Sequence, residues 1–112
     1  MAHNVGMKIV RTKPYLRAIK KIGITADNET ELFENLKDNP KKGEVIIGSG
    51  GARKIRIALG NRGKSKGARI IYHFIEIKDT IYLLGAYAKA DQANLSRAQI
   101  NELKEIKSIL EN

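Results

Sequence analysis

Positive charge is concentrated in one stretch of the chain, from residue 45 to residue 75. This stretch holds seven Lys or Arg residues and no Asp or Glu, although the full chain of 112 residues carries twelve acidic residues. Clustered like charges repel one another, and phosphate groups are anions that Lys and Arg side chains bind readily. The stretch therefore predicts a site for a polyanion.

Four cations are expected to meet on one face of a β-sheet. Lys54 and Arg56 are two positions apart, so on a strand their side chains project from the same face. Arg69 lies at the start of the neighbouring strand, and Lys89 follows the end of the strand after it. This spacing favours an anion-binding groove; the alternative is a solvated charged face that only keeps the protein soluble.

The sequence places these cations on a β-hairpin followed by a third strand. Runs rich in β-branched and aromatic residues indicate the strands, and a loop rich in Gly and Lys separates the first two. The three predicted strands cover residues 53–59, 68–77 and 80–88. Ile55, Ile57 and Leu59 alternate with the cations of the first strand, so one face is predicted to be core and the other cationic.

The N-terminal half is predicted to form a strand and two helices. The apolar run MKIV indicates the strand, and Thr12 caps a first helix that ends at Gly23. A second helix is expected to begin at a cap formed by Asp27 or Asn28 and to end before Pro40.

A final helix is predicted to begin at Ser96, which forms a capping-box pair with Gln99. Apolar residues recur behind this pair at helical spacing, up to Leu110. The expected fold is therefore α+β: two N-terminal helices pack on a mainly antiparallel four-stranded sheet, and a C-terminal helix follows.

Composition limits the class of protein. The chain has the length of one domain, a hydrophobic fraction of 42% and a net charge of +9, which favours RNA, DNA, a membrane surface or an acidic protein as partner. It has no cysteine and no apolar run long enough to cross a membrane, so a cytoplasmic location is expected. Residues 1–6 are predicted to be a flexible or non-native extension, because Met7 makes a plausible start, and residues 7–112 form the domain.

Three other motifs favour structural interpretations. Residues 58–65 fit a relaxed phosphate-binding loop, but a strand rather than the required helix is predicted to follow. The cluster of Gly48, Ser49, Gly50 and Gly51 is interpreted as a bend into the next strand. His73 is interpreted as a packed or hydrogen-bonded residue, and the two histidines of the chain give no convincing metal site.

Four segments of the chain resemble the RelE/HigB group of bacterial type II toxins. They are PKKG, GSGGARKIRIAL, GKSKGARIIYHF and IYLLGAYAKADQANLS, and the resemblance, closest to a HigB-like branch, runs from Met7 onward. It implies a RelE-like fold and a ribosome-dependent mRNA endonuclease, without metal or other cofactor, that a cognate antitoxin protein neutralises. Two alternatives are a ParE-type toxin that poisons gyrase and an RNA-binding module without activity.

The resemblance also implies roles for individual residues. Lys54 and Arg56 match the paired basic positions of the family's second strand, Arg69 matches the arginine after the loop, and Lys89 falls in the basic pair after the last strand. Ala90 stands where RelE-type enzymes generally have Arg. We expect Arg56 and Arg69 to bind the phosphate, whereas Lys54 and Lys89 either transfer protons or act as fixed charges. Further contacts with RNA are expected from Arg53, Arg62, Lys64 and Lys66.

Overall fold

The structure, a computed structural model, describes residues 6–60 and 67–112. Its strands are β1 (Lys8–Arg11), β2 (Glu44–Val45), β3 (Arg53–Ile57), β4 (Ala68–Ile75) and β5 (Thr80–Ala88). Its α-helices are α1 (Lys13–Ile22), α2 (Ala26–Asp38) and α3 (Arg97–Glu111). The predicted α+β class, with its three helices, is confirmed.

The strands form one mixed sheet in the order β1-β5-β4-β3-β2. The pairs β2–β3, β3–β4 and β4–β5 are antiparallel, whereas β1 runs parallel to β5. The predicted count of four strands is wrong by one, because the predicted set lacks β2. That strand has two residues, too few to show the alternation by which a strand is recognised.

The ends of the first two helices follow local capping chemistry. Thr12 caps α1 by accepting a hydrogen bond from an N–H of the first turn, and Gly23 ends it in the left-handed region at φ 89°. The cap of α2 is Thr25, which corrects the prediction of Asp27 or Asn28. Asn28 is instead the third helical residue, and its side chain accepts from the backbone N–H of Thr25 to complete a capping box.

Two predicted strand ends are wrong, whereas β5 and the start of α3 are confirmed. β3 ends at Ile57 and not at residue 59. β4 ends at Ile75, because Glu76–Lys78 form a single 3₁₀ turn that Asp79 closes with a φ of 47°. The next described element after residues 58–65 is strand β4, and not the helix that a phosphate-binding loop requires.

The sheet has a mainly apolar face and a divided face. α1 and α2 cover the first, where the core includes Tyr15, Leu32, Ile57 and Tyr72. On the second face a smaller apolar cluster packs against α3, and a cleft lies on the same face. The residues of that cluster are Ile46, Ala52, Ile71, Tyr87 and Leu103.

The Gly-rich segment before β3 forms a turn on which α3 rests, in agreement with its structural interpretation. Ser49 is fully buried; its Oγ donates to the carbonyl of Ile46 at 2.6 Å and accepts from the N–H of Ala52 at 2.9 Å. Gly50 has a φ of 76°, and a Cβ there would lie 3.6 Å from the Cα of Lys104. The turn therefore needs glycine for its backbone conformation, whereas a Cβ would make only an ordinary van der Waals contact with α3.

Candidate functional site

The strand register brings three predicted site residues onto the divided face. Arg56 of β3 lies directly opposite Arg69 of β4, and Lys54 lies one row away, opposite Ile71. Directly opposed residues of antiparallel strands share a face. Two arginines opposed in this way repel each other unless an anion lies between them or screens them. The pair is therefore the natural centre of an anion site.

An open cleft of about 440 Å³ contains this pair. All four cations predicted to be catalytic line it, and so do two charged residues that the sequence analysis did not select, Lys42 and Glu44. The described residues that line the cleft are Lys42, Gly43, Glu44, Lys54, Ile55, Arg56, Arg69, Lys89 and Ala93. The tertiary structure thus gathers the four cations in one place, while their individual roles stay predictions.

The two arginines of the pair differ in environment. The side chain of Arg56 is exposed, whereas Arg69 is only 6% exposed at the base of the cleft. One contact of Arg69 is a long hydrogen bond of 3.4 Å from Nη1 to the carbonyl of Ala68. A guanidinium that is shielded from water attracts an anion more strongly than an exposed one, because solvent screens it less. Arg69 is therefore suited to fix a phosphate, and Arg56 to close over it.

Lys89 is held at the edge of the cleft by the adjoining backbone. Its N–H donates to the carbonyl of Gly67 at 2.9 Å, and its Nζ donates to the carbonyl of Ala93 at 3.3 Å. Gly67 itself has no room for a side chain, since a Cβ there would collide with the carbonyl oxygen of Ile57. Gly67 thus lies close to the end of β3, and its hydrogen bond with Lys89 places Lys89 beside the start of β4.

Arg53 lies on the opposite face from the cleft. It pairs with Tyr72, a core residue under the helices, and its Nη1 donates to the carbonyls of Lys41 at 3.0 Å and Gly43 at 2.8 Å. The hydroxyl of Tyr72 donates to the carbonyl of Pro40 and accepts from the N–H of Gly43. Arg53 therefore helps to hold the segment that leads into β2. The other predicted RNA-binding residues, Arg62, Lys64 and Lys66, lie outside the described residues.

Lys42 and Glu44 enter the cleft from the segment before and within β2. Glu44 lies directly opposite Lys54 in the sheet, and Lys42 Nζ donates to Asn35 Oδ1 of α2 at 2.6 Å. The sequence signal for these residues was weak, because they fall just before the acid-free stretch. Only the pairing of β2 with β3 shows that they belong to the site.

Tyr87 continues the row of the arginine pair on β5, opposite Arg69. Its hydroxyl is buried, and within the described residues it has no hydrogen-bond partner. Burial raises the pKa of Tyr87, and the positive charge of Arg69 opposes this shift. The phenol is therefore neutral at physiological pH, and it belongs to the apolar cluster that packs against α3.

His73 belongs to the contact with α3 and not to the cleft. Its ring is 1% exposed, and Nε2 donates to the carbonyl of Leu103 at 3.0 Å. Burial lowers the pKa of His73, while the hydrogen bond to Leu103 acts in the opposite direction. A neutral, hydrogen-bonded ring agrees with the structural interpretation of this residue.

Within residues 6–60 and 67–112, no group of three or more His, Cys, Asp or Glu side chains is arranged to hold a metal ion. In the same part of the chain, no helix is long and apolar enough to cross a membrane.

Comparison with solved structures shows the same fold in three cases. Isolated Escherichia coli RelE toxin matches with a TM-score of 0.56 and 18% identity, over 89% of this chain and 98% of that one. A mutant of E. coli RelE in the free state matches with a TM-score of 0.53 and 16% identity, over 93% and 98% of the two chains. The conserved hypothetical protein HP0892 from Helicobacter pylori matches with a TM-score of 0.51 and 15% identity, over 76% and 97%.

Sequence comparison identifies the family. A family model described as the RelE toxin of the RelE/RelB toxin–antitoxin system matches residues 7–112. The expected closeness to a HigB-like branch stays a prediction. Since the match covers nearly the whole chain and the fold agrees with that of RelE, the chain belongs to the RelE family of toxins of toxin–antitoxin systems.

Proposed function

We propose that this toxin is a ribosome-dependent mRNA endonuclease and that the cationic cleft is its active site. The observation that supports this most directly is the opposed pair of Arg56 and Arg69 inside the cleft, with Lys54 and Lys89 around it. Membership of the RelE family supports the same proposal. The exposed cationic cleft also favours cleavage over the gyrase-binding alternative, which needs no such cluster.

The proposed reaction uses the RNA itself as nucleophile. The 2′-hydroxyl attacks the adjacent phosphorus, the bond from phosphorus to the 5′-oxygen breaks, and the products carry a 2′,3′-cyclic phosphate and a 5′-hydroxyl. Negative charge grows on the phosphate oxygens in the transition state, so fixed cations accelerate the reaction. Arg56 and Arg69 present planar guanidinium groups that match two phosphate oxygens each.

Two protons move in this reaction. We expect Lys89, which follows β5, to protonate the leaving 5′-oxygen, and Lys54 to act either as the acceptor of the nucleophile's proton or as a fixed charge on the phosphate. The chemistry needs no cofactor. The partners are the ribosome with its bound mRNA and a cognate antitoxin, and these partners imply that the toxin acts in the cytoplasm.

The ribosome would supply the geometry that free RNA lacks. In-line attack requires the 2′-oxygen, the phosphorus and the 5′-oxygen to be nearly collinear, and positioning of this kind contributes much of the rate of such reactions. The cleft is open, so we expect it to bind phosphate without fixing the conformation of the RNA backbone. We therefore expect cleavage only of mRNA that is held in a ribosome.

The test is to incubate purified toxin with one mRNA, free and bound to programmed ribosomes. We expect cleavage on the ribosome, a cyclic phosphate at the new 3′ end, and no cleavage when the scissile nucleotide carries a 2′-deoxyribose. Equal cleavage of free mRNA would reject the dependence on the ribosome. Absence of cleavage in both samples, together with inhibition of gyrase, would support the ParE-type alternative.

A further inference from the structure

One carboxylate lies among the cations of the cleft. Of the nine described residues that line it, Glu44 is the acidic one, and the same residue also borders a neighbouring groove that is largely apolar. Its side chain is exposed, and within the described residues its carboxylate has no hydrogen bond or ion pair. The carboxylate is therefore available to a molecule that enters the cleft.

The sheet places Glu44 and Lys89 on opposite sides of the arginine pair. Arg56 and Arg69 lie on the neighbouring strands β3 and β4, whereas Glu44 lies on β2, outside β3, and Lys89 follows β5, outside β4. A phosphate held between the two arginines thus has Glu44 on one side and Lys89 on the other. Along the strands, Glu44 lies in the row of Lys54 on one side of the arginine pair, and Lys89 lies beyond the pair on the other side. This arrangement suits in-line displacement at phosphorus, because the attacking and leaving oxygens lie on opposite sides of the phosphorus.

We propose that Glu44 is the general base of the cleft and accepts the proton of the attacking 2′-hydroxyl. This inference rests on the proposed nuclease function and names the residue that performs one of its steps. As the bond between the 2′-oxygen and phosphorus forms, the proton passes to a carboxylate oxygen of Glu44. As the bond to the 5′-oxygen breaks, Lys89 gives that oxygen a proton.

A carboxylate suits this role better than the amine of Lys54. A carboxylate offers only acceptor lone pairs, whereas an ammonium group has three donors and no acceptor until it loses a proton. Lys54 lies directly across the sheet from Glu44, where it serves as a fixed cation beside the phosphate. The five cations of the cleft (Lys42, Lys54, Arg56, Arg69 and Lys89) offset the repulsion between the carboxylate and the RNA.

The first test is single-turnover cleavage on saturating programmed ribosomes. Glu44→Gln should lower the rate constant by about 10²-fold or more, within the usual contribution of a general base, while ribosome affinity stays equal or rises because a negative charge is lost. Glu44→Asp should recover part of the rate. Glu34→Gln, at an exposed position of α2, removes the same charge and should leave the rate unchanged.

The second test separates the base from the acid. The substrate is an RNA with sulfur in place of the 5′-bridging oxygen, because a sulfur leaving group departs without a proton. This substrate should restore cleavage by the Lys89→Ala variant, which lacks the proposed acid. It should not restore cleavage by the Glu44→Gln variant, which lacks the proposed base. If the Glu44→Gln variant cleaves at the wild-type rate, or if the sulfur substrate restores its cleavage, the assignment of Glu44 is overturned. The proposed nuclease function is left intact by either result. A wild-type toxin that does not cleave would overturn both.

Discussion

At the scale of single residues, the opposed pair of Arg56 and Arg69 is the feature from which we expect the cleft to bind an anion. Two cations directly across a pair of strands destabilise the sheet slightly, and an anion between them removes the repulsion. The pair is not symmetrical, because Arg69 is buried at the base of the cleft and Arg56 is exposed at its side. The first prediction follows from this arrangement.

Replacing either arginine by alanine should slow cleavage on the ribosome by roughly 10²-fold or more, the scale for losing one donor that stabilises developing negative charge. Arg69→Lys should remain impaired, because one ammonium group cannot reproduce a two-pronged contact. Arg17→Ala, on the exposed side of α1, removes the same charge as a control. The measurement is the single-turnover rate constant together with a thermal melt; folded and fully active Arg56 and Arg69 variants would show that the site lies elsewhere.

At the scale of elements, α3 is attached to the sheet by a small set of contacts. Leu103 packs in the smaller apolar cluster, and the ring of His73 donates to its carbonyl. Lys78 Nζ donates to the carbonyls of Leu110 at 2.7 Å and Asn112 at 3.2 Å. The attachment of α3 to the sheet therefore depends in part on a neutral histidine.

This dependence predicts an effect of pH on stability. Burial lowers the pKa of His73 below its ordinary value of 6.5, so in mildly acidic solution the unfolded chain binds a proton that the folded chain does not. The free energy of unfolding should thus be highest above pH 6.5. It should fall as the pH decreases from 6.5 toward the lower pKa of His73 in the folded state. Protonation is unfavourable mainly because it buries a charge; the positive charge of Lys107 adds to this effect, and the negative charge of Glu111 opposes it.

The measurement is chemical denaturation of the wild type and of His73→Gln at about pH 7.5 and about pH 5.5, on either side of the ordinary histidine pKa. We expect the wild type to lose more stability than the variant between the two conditions. An equal loss in both proteins would assign the acid sensitivity to other groups.

At the scale of the whole molecule, the charge distribution bears on inhibition. The chain carries a net charge of +9, and the cleft gathers five cations on one side of the sheet while α1 and α2 cover the other. An antitoxin that presents carboxylates to the cleft would be attracted by this field and would block access to the ribosome. A second route is displacement of α3 from the sheet, and the two routes differ in their dependence on salt.

Direct blocking predicts that Lys54→Ala and Arg56→Ala weaken antitoxin binding and make its affinity less dependent on salt, because each removes a charge from the interface. Lys20→Ala, on an exposed face of α1, should change neither quantity. Titration calorimetry at several salt concentrations measures both. Unchanged affinity and salt dependence in the cleft variants would exclude direct blocking and favour displacement of α3.

The sequence by itself determined the features that depend on neighbours along the chain. The caps at Thr12 and Gly23, the capping box at Ser96 and the extent of β5 all follow from local chemistry, and the structure has them as expected. The spacing of Lys54 and Arg56 likewise put both on one face, because strand alternation is a property of the backbone. Alternation also places Arg53 with the core residues Ile55 and Ile57, although its charge alone had suggested a contact with RNA.

Tertiary structure decided which residues share the cleft. The opposition of Arg56 and Arg69 depends on the register of β3 and β4, and the positions of Lys42 and Glu44 depend on a two-residue strand that exists because it pairs with β3. A strand this short has no periodicity of its own, so its backbone hydrogen bonds, and not its sequence, define it. For that reason, only the tertiary structure identifies Glu44 as the one carboxylate among the described residues that line the cleft.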